Sequence, residues 1–186
     1  MWNYEKKLQY PVNITKRDLA MAKNILTQYG GPQGELAAAI RYLNQRYTMP
    51  DEYGKALLTD IGTEELAHIE VIAAMVNQLT KGATKEEILA AGLGPYYSNH
   101  GLDLFPENSS GEPFTTAYIS AVGDPIANIE ENMAAEQKAR AVYENLINLA
   151  TSDEVIQPLL FLRQREIIHY HRFAELLQRY QEMGLQ

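Results

Sequence analysis

Apolar positions in this chain fall into four long runs with the three- and four-residue steps of a helix, separated by segments rich in glycine, proline and small polar residues. Thr15, with Asp18 three residues on, resembles a capping box and opens the first run. Gly30, Gly31, Pro32 and Gly34 interrupt that run, and the helical pattern resumes from Glu35 to Tyr47. Pro50 and Asp51 mark the next start. From there the stripe Leu58, Ile61, Ile69, Ile72, Met75, Val76 and Leu79 keeps a helical period until Gly82 ends it. Thr84 and Glu87 start a short helix that stops near Gly92, and residues 93–123 read as a loop. A structureless connection of that length in a compact domain tends to have a task. Asp124 and Pro125 form an N-cap and first-turn pair for a third long helix reaching Ala150. Ser152 and Asp153 begin a fourth, which runs to Met183 with Gly184 as its stop. Pro158 lies near the start of that helix and is expected to bend its first turns.

The order is therefore a helix hairpin, a long crossover over residues 80–123, and a second helix hairpin, preceded by an irregular arm over residues 1–14. That predicts one all-α domain over residues 1–186: a four-helix bundle of ferritin-like connectivity, with a single long crossover between helices 2 and 3. A chain of 186 residues with 46% apolar residues is long enough to bury a sizeable core.

Composition narrows the function classes. There is no cysteine, which removes disulfides, thiolate metal sites and cysteine nucleophiles together. The net charge of −8 argues against a general attraction to nucleic acid or to anionic membrane. No apolar run approaches the roughly 18 residues of a spanning helix. No apolar segment follows Met1–Lys7 as a signal peptide would require, so a cytoplasmic location is expected, unless the protein is assembled onto a structure inside the cell.

The chemistry lies in a coarse repeat. Each half of the chain has one helix with a lone carboxylate followed by one with Glu-x-x-His: Glu35 then Glu65/His68, and Glu136 then Glu166/His169. Residues three apart share a helix face, so each Glu-x-x-His can offer an oxygen and an imidazole nitrogen to one cation. Both pairs interrupt apolar stripes, the second being Leu159, Leu162, Phe173, Leu176 and Tyr180. A carboxylate there must be paired, protonated or metal-bound, because burying it alone costs several kcal/mol. Glu35 and Glu65 lie about a dozen residues either side of the turn at Tyr47–Pro50, and Glu136 and Glu166 about fourteen and thirteen either side of Ala150–Asp153, so at roughly 1.5 Å per residue all four return to one level. Glu136 sits on the stripe Ile129, Met133, Ala139, Tyr143 and Ile147, and the small neighbours Ala134, Ala135 and Ala139 leave room for ions. Asp18 and Glu35 are the only acids between residues 6 and 50. Glu64, Glu70, Glu130, Glu131 and Glu144 are expected on solvated faces. His171, two residues from His169, is expected to turn away from it, and His100 lies in the loop. Two lone glutamates plus two Glu-x-x-His motifs are the di-iron and di-manganese bundle pattern, and oxygen-plus-imidazole donors suit manganese or iron.

The residues also resemble the manganese catalase family. The matching blocks are Gln28-Tyr-Gly-Gly-Pro-Gln-Gly-Glu35, Asp60-Ile-Gly-Thr-Glu-Glu-Leu-Ala-His68, Ala134-Ala-Glu136-Gln-Lys-Ala-Arg140 and Arg165-Glu-Ile-Ile-His169, which together span most of the chain. In length the chain is nearest the spore-coat CotJC type. The resemblance implies disproportionation of hydrogen peroxide to water and oxygen at two manganese ions, in a homohexamer of bundles, with other spore-coat proteins as further partners. It implies Glu35 and His68 as ligands of one ion, Glu136 and His169 as ligands of the other, and Glu65 as the bridge. Glu166 would be an outer-sphere proton acceptor, and Tyr42 a hydroxyl bonded to a ligand carboxylate. Two departures are visible. Larger members carry a long C-terminal tail past the fourth helix, where this sequence ends at Gln186, and some place a basic residue beside the metals for which no equivalent is located here. The alternatives are a di-iron oxidase or ferroxidase on the same bundle, in which Glu166 would ligate as a second bridge, and a mainly structural coat protein with a metal site.

Overall fold

A computed structural model of the chain describes residues 5–185; residues 1–4, which begin both the expected arm and the Met1–Lys7 segment, and Gln186 lie outside the described residues. The helices are α1 (Leu19–Gly30), α2 (Glu35–Gln45), α3 (Glu52–Thr80), α4 (Lys85–Ala90), α5 (Gly94–His100), α6 (Pro125–Leu149) and α7 (Asp153–Glu182). The first bundle helix is thus α1 and α2 in succession, broken at the Gly30–Gly34 segment. α2 packs along α3, α6 along α7, and the two hairpins face each other through α3 against α7 and α1 and α2 against α6. This is a four-helix bundle with one long crossover, as the alternation of stripes and turns predicts.

Local chemistry explains most boundaries. Asp51, Asp124 and Ser152 cap α3, α6 and α7 by accepting from backbone N–H groups of the first turn. Thr84 and Glu87 form a complete capping box on α4. Gly82 and Gly184 follow α3 and α7 with φ of 70° and 86°, a region costly to any residue with a Cβ. Two expectations are corrected. The cap of α1 is Asp18 alone, accepting from the Met21 N–H at 2.9 Å, whereas Thr15 turns away and bonds Glu154 of α7. The segment 93–123 is not all loop: it contains α5, started by Pro95, and a 3-10 turn over Thr116–Tyr118. Pro158 is held inside α7, in its second turn.

The apolar core has two blocks. One gathers Ile25, Leu26, Ile72, Met75, Tyr143 and Leu159; the other gathers Tyr42, Leu58, Ile61, Ile129, Phe173 and Tyr180. Between them, along both α3 and α7, lies a layer of buried polar side chains: Glu65 and His68, Glu166 and His169.

The arm and the crossover close over this bundle with specific bonds. Tyr10 stacks on Phe161 at 4.8 Å, and Gln78 of α3 accepts from the Ile14 N–H and donates to the Val12 carbonyl. On the other side, buried Arg41 and Gln45 of α2 donate to the carbonyls of Tyr118 and Ser120, both at 2.7 Å. At the end of α1, a Cβ placed on Gly30 would stand 2.2 Å from the Pro106 carbonyl carbon of the crossover. Gly30→Ala is therefore expected to destabilise the protein by about 1–3 kcal/mol, since backbone rather than a flexible side chain must move. Urea unfolding of wild type and variant measures it.

Candidate metal centre

Helical spacing delivers six side chains to one buried layer. Glu35 is the first residue of α2, Glu65 and His68 share a face of α3, Glu136 lies in the middle of α6, and Glu166 and His169 share a face of α7. Each is no more than 2% exposed. Their donor atoms form two groups, Glu35–Glu65–His68–Glu166 and Glu65–Glu136–Glu166–His169, each with all donor atoms within 4.8 Å of one another. Glu65 and Glu166 belong to both groups.

The geometry around Glu65 is nearly symmetric. Its Oε2 lies 2.7 Å from His68 Nδ1 and its Oε1 lies 2.8 Å from His169 Nδ1. The two imidazole rings run side by side, 5.6 Å between centroids and 20° from parallel. The outer carboxylates are held crosswise. Tyr42 of α2 donates to Glu136 of α6 at 2.6 Å, and Tyr143 of α6 donates to Glu35 of α2. Both tyrosines stand seven residues after the glutamate on their own helix, so the halves of the repeat brace each other's acid.

Charge in this layer does not balance as an ordinary core would require. Burial, reinforced by Glu65, raises the Glu35 carboxyl to about 8. Burial, with Glu35, Glu136 and Glu65 nearby, holds Glu166 well above the carboxylate range. Burial also disfavours charge on Glu65, but His169 and His68 overcome it and keep the carboxyl low. The same contacts keep both imidazoles well above their ordinary value against the pull of burial. The layer thus stores protons on the groups that must lose them to bind a cation.

Several buried atoms here also lack a hydrogen-bond partner: Glu65 Oε1, Glu136 Oε2, Glu166 Oε1 and His169 Nδ1. Glu65 Oε1 and His169 Nδ1 are close, yet not aligned as donor and acceptor. Buried polar atoms are nearly always satisfied, so unpaired oxygens and a nitrogen converging on one interior point fit divalent or trivalent cations of oxygen-and-imidazole preference.

A small cavity reaches the centre between α2 and α6, lined by Gly34, Ala38, Ala135, Ala139 and the carboxylates of Glu35, Glu136 and Glu166. Ala135 and Ala139 leave the space expected of them, but Ala134 faces outward. A basic residue not located from the sequence does stand in this wall: Arg41, 4% exposed, with its Nε unpaired.

Glu64 is the main correction. It is not a solvated residue of α3; its side chain is 14% exposed and lies against both imidazoles and Arg165. Of the other acids expected in solvent, Glu130 is exposed, while Glu131 and Glu144 are half-buried in ion pairs with Lys138 and Arg163. His171 is exposed, and His100 stacks on Phe105 at 3.8 Å. Tyr143 lay on the inward stripe of α6, and the spacing that singles out Tyr42 would have found it too.

Comparison with known proteins agrees with this geometry. The family model for manganese-containing catalase matches residues 1–184. Protein CotJC of Bacillus subtilis is 56% identical over 178 residues, covering 96% of this chain and 94% of that one. A protein named "Probable manganese catalase" in Clostridium acetobutylicum is 37% identical over 186 residues, covering 99% of this chain and 83% of its own. The crystal structure of KatB, a manganese catalase from Anabaena PCC7120, superposes with a TM-score of 0.89 at 30% identity, covering all of this chain and 81% of that one. With its whole length matched, its bundle superposed and its buried acids and imidazoles gathered in one layer, the chain belongs to the manganese-containing catalase family, whose members use a dimanganese centre.

Proposed function

We propose that the protein disproportionates hydrogen peroxide to water and oxygen, with Glu35 and His68 holding one manganese ion, Glu136 and His169 holding the other, and Glu65 bridging them. One observation carries this reading: two buried donor groups share Glu65, and unpaired oxygens and an imidazole nitrogen converge between them. When bound, a pair of redox-active ions supplies and takes back the two electrons that each peroxide exchanges. The protein supplies the rest. Tyr42 and Tyr143 fix the outer carboxylates so that each turns one oxygen to the centre. The gap at Ala38, Ala135 and Ala139 admits a molecule little larger than water and keeps bulkier reductants out. Glu166 takes a proton at its free Oε1 and returns it, as the high affinity of that carboxyl for a proton favours.

A second reading draws on one specific observation, that Glu166 lies within both donor groups. As a second bridging ligand it would suit a di-iron oxidase. Metal analysis of protein produced with manganese and iron both supplied, combined with an oxygen electrode, separates the two. The expected result is two manganese ions per chain and oxygen released from added peroxide. Iron-loaded protein that consumes oxygen with Fe(II) and releases none from peroxide would replace the first reading with the second.

We further place the protein as a homo-oligomer of bundles, hexameric by family likeness, within the cytoplasm or laid into a spore coat. The likeness to Protein CotJC supports the coat. Among the described residues, no helix is long and apolar enough to cross a membrane. A coat component with no detectable peroxide turnover, whose assembly survives metal removal, would make the role structural.

A further inference from the structure

Beyond the six central side chains, a cluster of partly buried charge lies on the far side of the two imidazoles. There Glu64 Oε2 lies 2.9 Å from His169 Nε2, and Glu64 Oε1 lies 3.7 Å from His68 Nε2. Arg165 of α7 pairs with the same carboxylate: a terminal nitrogen donates to Oε2 at 3.1 Å, and Nε lies 2.7 Å from Oε1 without being aligned as its donor. Gln9 of the arm donates to Oε1 at 2.5 Å. Glu64 and Arg165 occupy equivalent places in the internal repeat, each just before the glutamate of its Glu-x-x-His. The two halves therefore differ at this position by an acid against a base, and the difference is what lets them meet across the bundle.

The chemistry of imidazole gives this arrangement a purpose. A neutral ring carries its one proton on either nitrogen, and only the other can bind a cation. Each ring here turns Nδ1 toward Glu65 and Nε2 toward Glu64. An ionised carboxylate only accepts hydrogen bonds, so when a cation displaces the proton from Nδ1, on the side of Glu65, Glu64 holds the remaining proton on Nε2 and the Nδ1 lone pair serves the cation. The Arg165 guanidinium, bonded to Oε2 and close to Oε1, holds that carboxylate with one oxygen toward each ring.

Resting on the manganese reading above, we propose that Glu64, clamped by Arg165, is a positioning residue that sets the tautomer and orientation of both histidine ligands at once. One acid serving two ligands makes the two metal positions interdependent, although it touches neither ion. The contact to His169 is a hydrogen bond, whereas His68 Nε2 lies 3.7 Å away and is held by charge alone, so the His169 position depends on Glu64 more strongly.

The test is manganese binding to metal-free wild type and to Glu64→Gln, Glu64→Ala and Arg165→Met, by titration and by competition with a chelator. The melting temperature of each metal-free protein is measured beside it. In Glu64→Gln one ring keeps an oxygen acceptor while the other faces an N–H donor, which drives its proton to Nδ1. Two ions of similar affinity in wild type are expected to become one strong and one weak, the weak one reduced roughly 10–100-fold. Glu64→Ala weakens both ions. Arg165→Met, which leaves Glu64 in place, weakens them less. Metal-free melting temperatures stay within a few degrees of wild type. If wild type binds two ions and the Glu64 variants bind them equally well, Glu64 is only an inter-helix ion pair and the inference falls alone. Affinity losses matched by an equal collapse of the metal-free proteins would overturn it in the same way. Wild type that takes up no manganese would overturn the proposed function as well.

Discussion

Glu65→Ala is expected to empty both metal positions together and abolish oxygen release from peroxide. Glu65 turns its two oxygens to the two halves of the site separately, Oε2 toward His68 Nδ1 and Oε1 toward His169 Nδ1. On the proposed bridging role, alanine would take one ligand from each ion together with the negative charge between them. The loss should exceed the roughly 10–100-fold weakening that follows removal of an outer hydrogen-bond partner. Metal analysis after purification should fall from two manganese ions per chain to near none. Proton release offers a second readout. In the metal-free site burial, reinforced by Glu65, raises the Glu35 carboxyl to about 8, and Glu65 holds both imidazoles well above their ordinary value against the pull of burial. Ligation requires these groups to give protons up, so adding manganese to weakly buffered wild type at neutral pH should lower the pH. The alanine variant should leave it unchanged. A variant that keeps one full equivalent of manganese would mean that Glu65 serves a single ion, and the bridging role would be lost.

How far the sequence reaches depends on the distance over which each signal acts. Caps such as Asp124 before Pro125 act within one turn, and the stripes on α3 and α7 repeat often enough to fix long helices. α5 escaped because seven residues starting Gly94-Pro95 carry less than two turns of pattern and look like turn chemistry. The inner donors were legible for a related reason: Glu65 and His68 are three apart on one stripe, and hairpin symmetry sets their level. Glu64 was misjudged because its neighbour Glu65 already claimed the inward direction, and adjacent residues diverge by about 100° around a helix. What fills that second direction is α7, bringing Arg165 from a hundred residues away, and no local pattern encodes that approach. Arg41 was missed likewise, since its partner is the Tyr118 carbonyl of the crossover. Tyr143 was within reach, because the seven-residue offset from Glu136 repeats the offset from Glu35 to Tyr42.

Glu166→Gln is expected to keep both manganese ions and slow turnover about 10²–10⁴-fold, the range that a positioned proton carrier contributes. The substitution preserves shape and one carbonyl oxygen but cannot carry a proton between two molecules of peroxide. Position alone does not fix the role of Glu166, because it is within ligating distance of both donor groups. Two further features favour the proton carrier. Burial first, and then Glu35, Glu136 and Glu65, raise its affinity for a proton against the opposing pull of His169. Its Oε1 remains without a partner at the inner end of the cavity that leads out between α2 and α6. A free oxygen there is placed to hold a proton beside the substrate, and since burial raises the carboxyl of the proposed ligand Glu35 as well, the metal content of the variant decides between carrier and bridge. If it is a proton carrier, the limb of the pH–rate profile that reports its ionisation should also disappear in the glutamine variant. If it is a bridge, replacing an anionic ligand by a neutral amide should strip metal in the way Glu65→Ala does. The paired outcome is therefore decisive: one acid whose loss empties the site and one whose loss leaves it filled but slow. Two acids that both empty it would instead make a doubly bridged centre, with chemistry nearer to that of a di-iron oxidase.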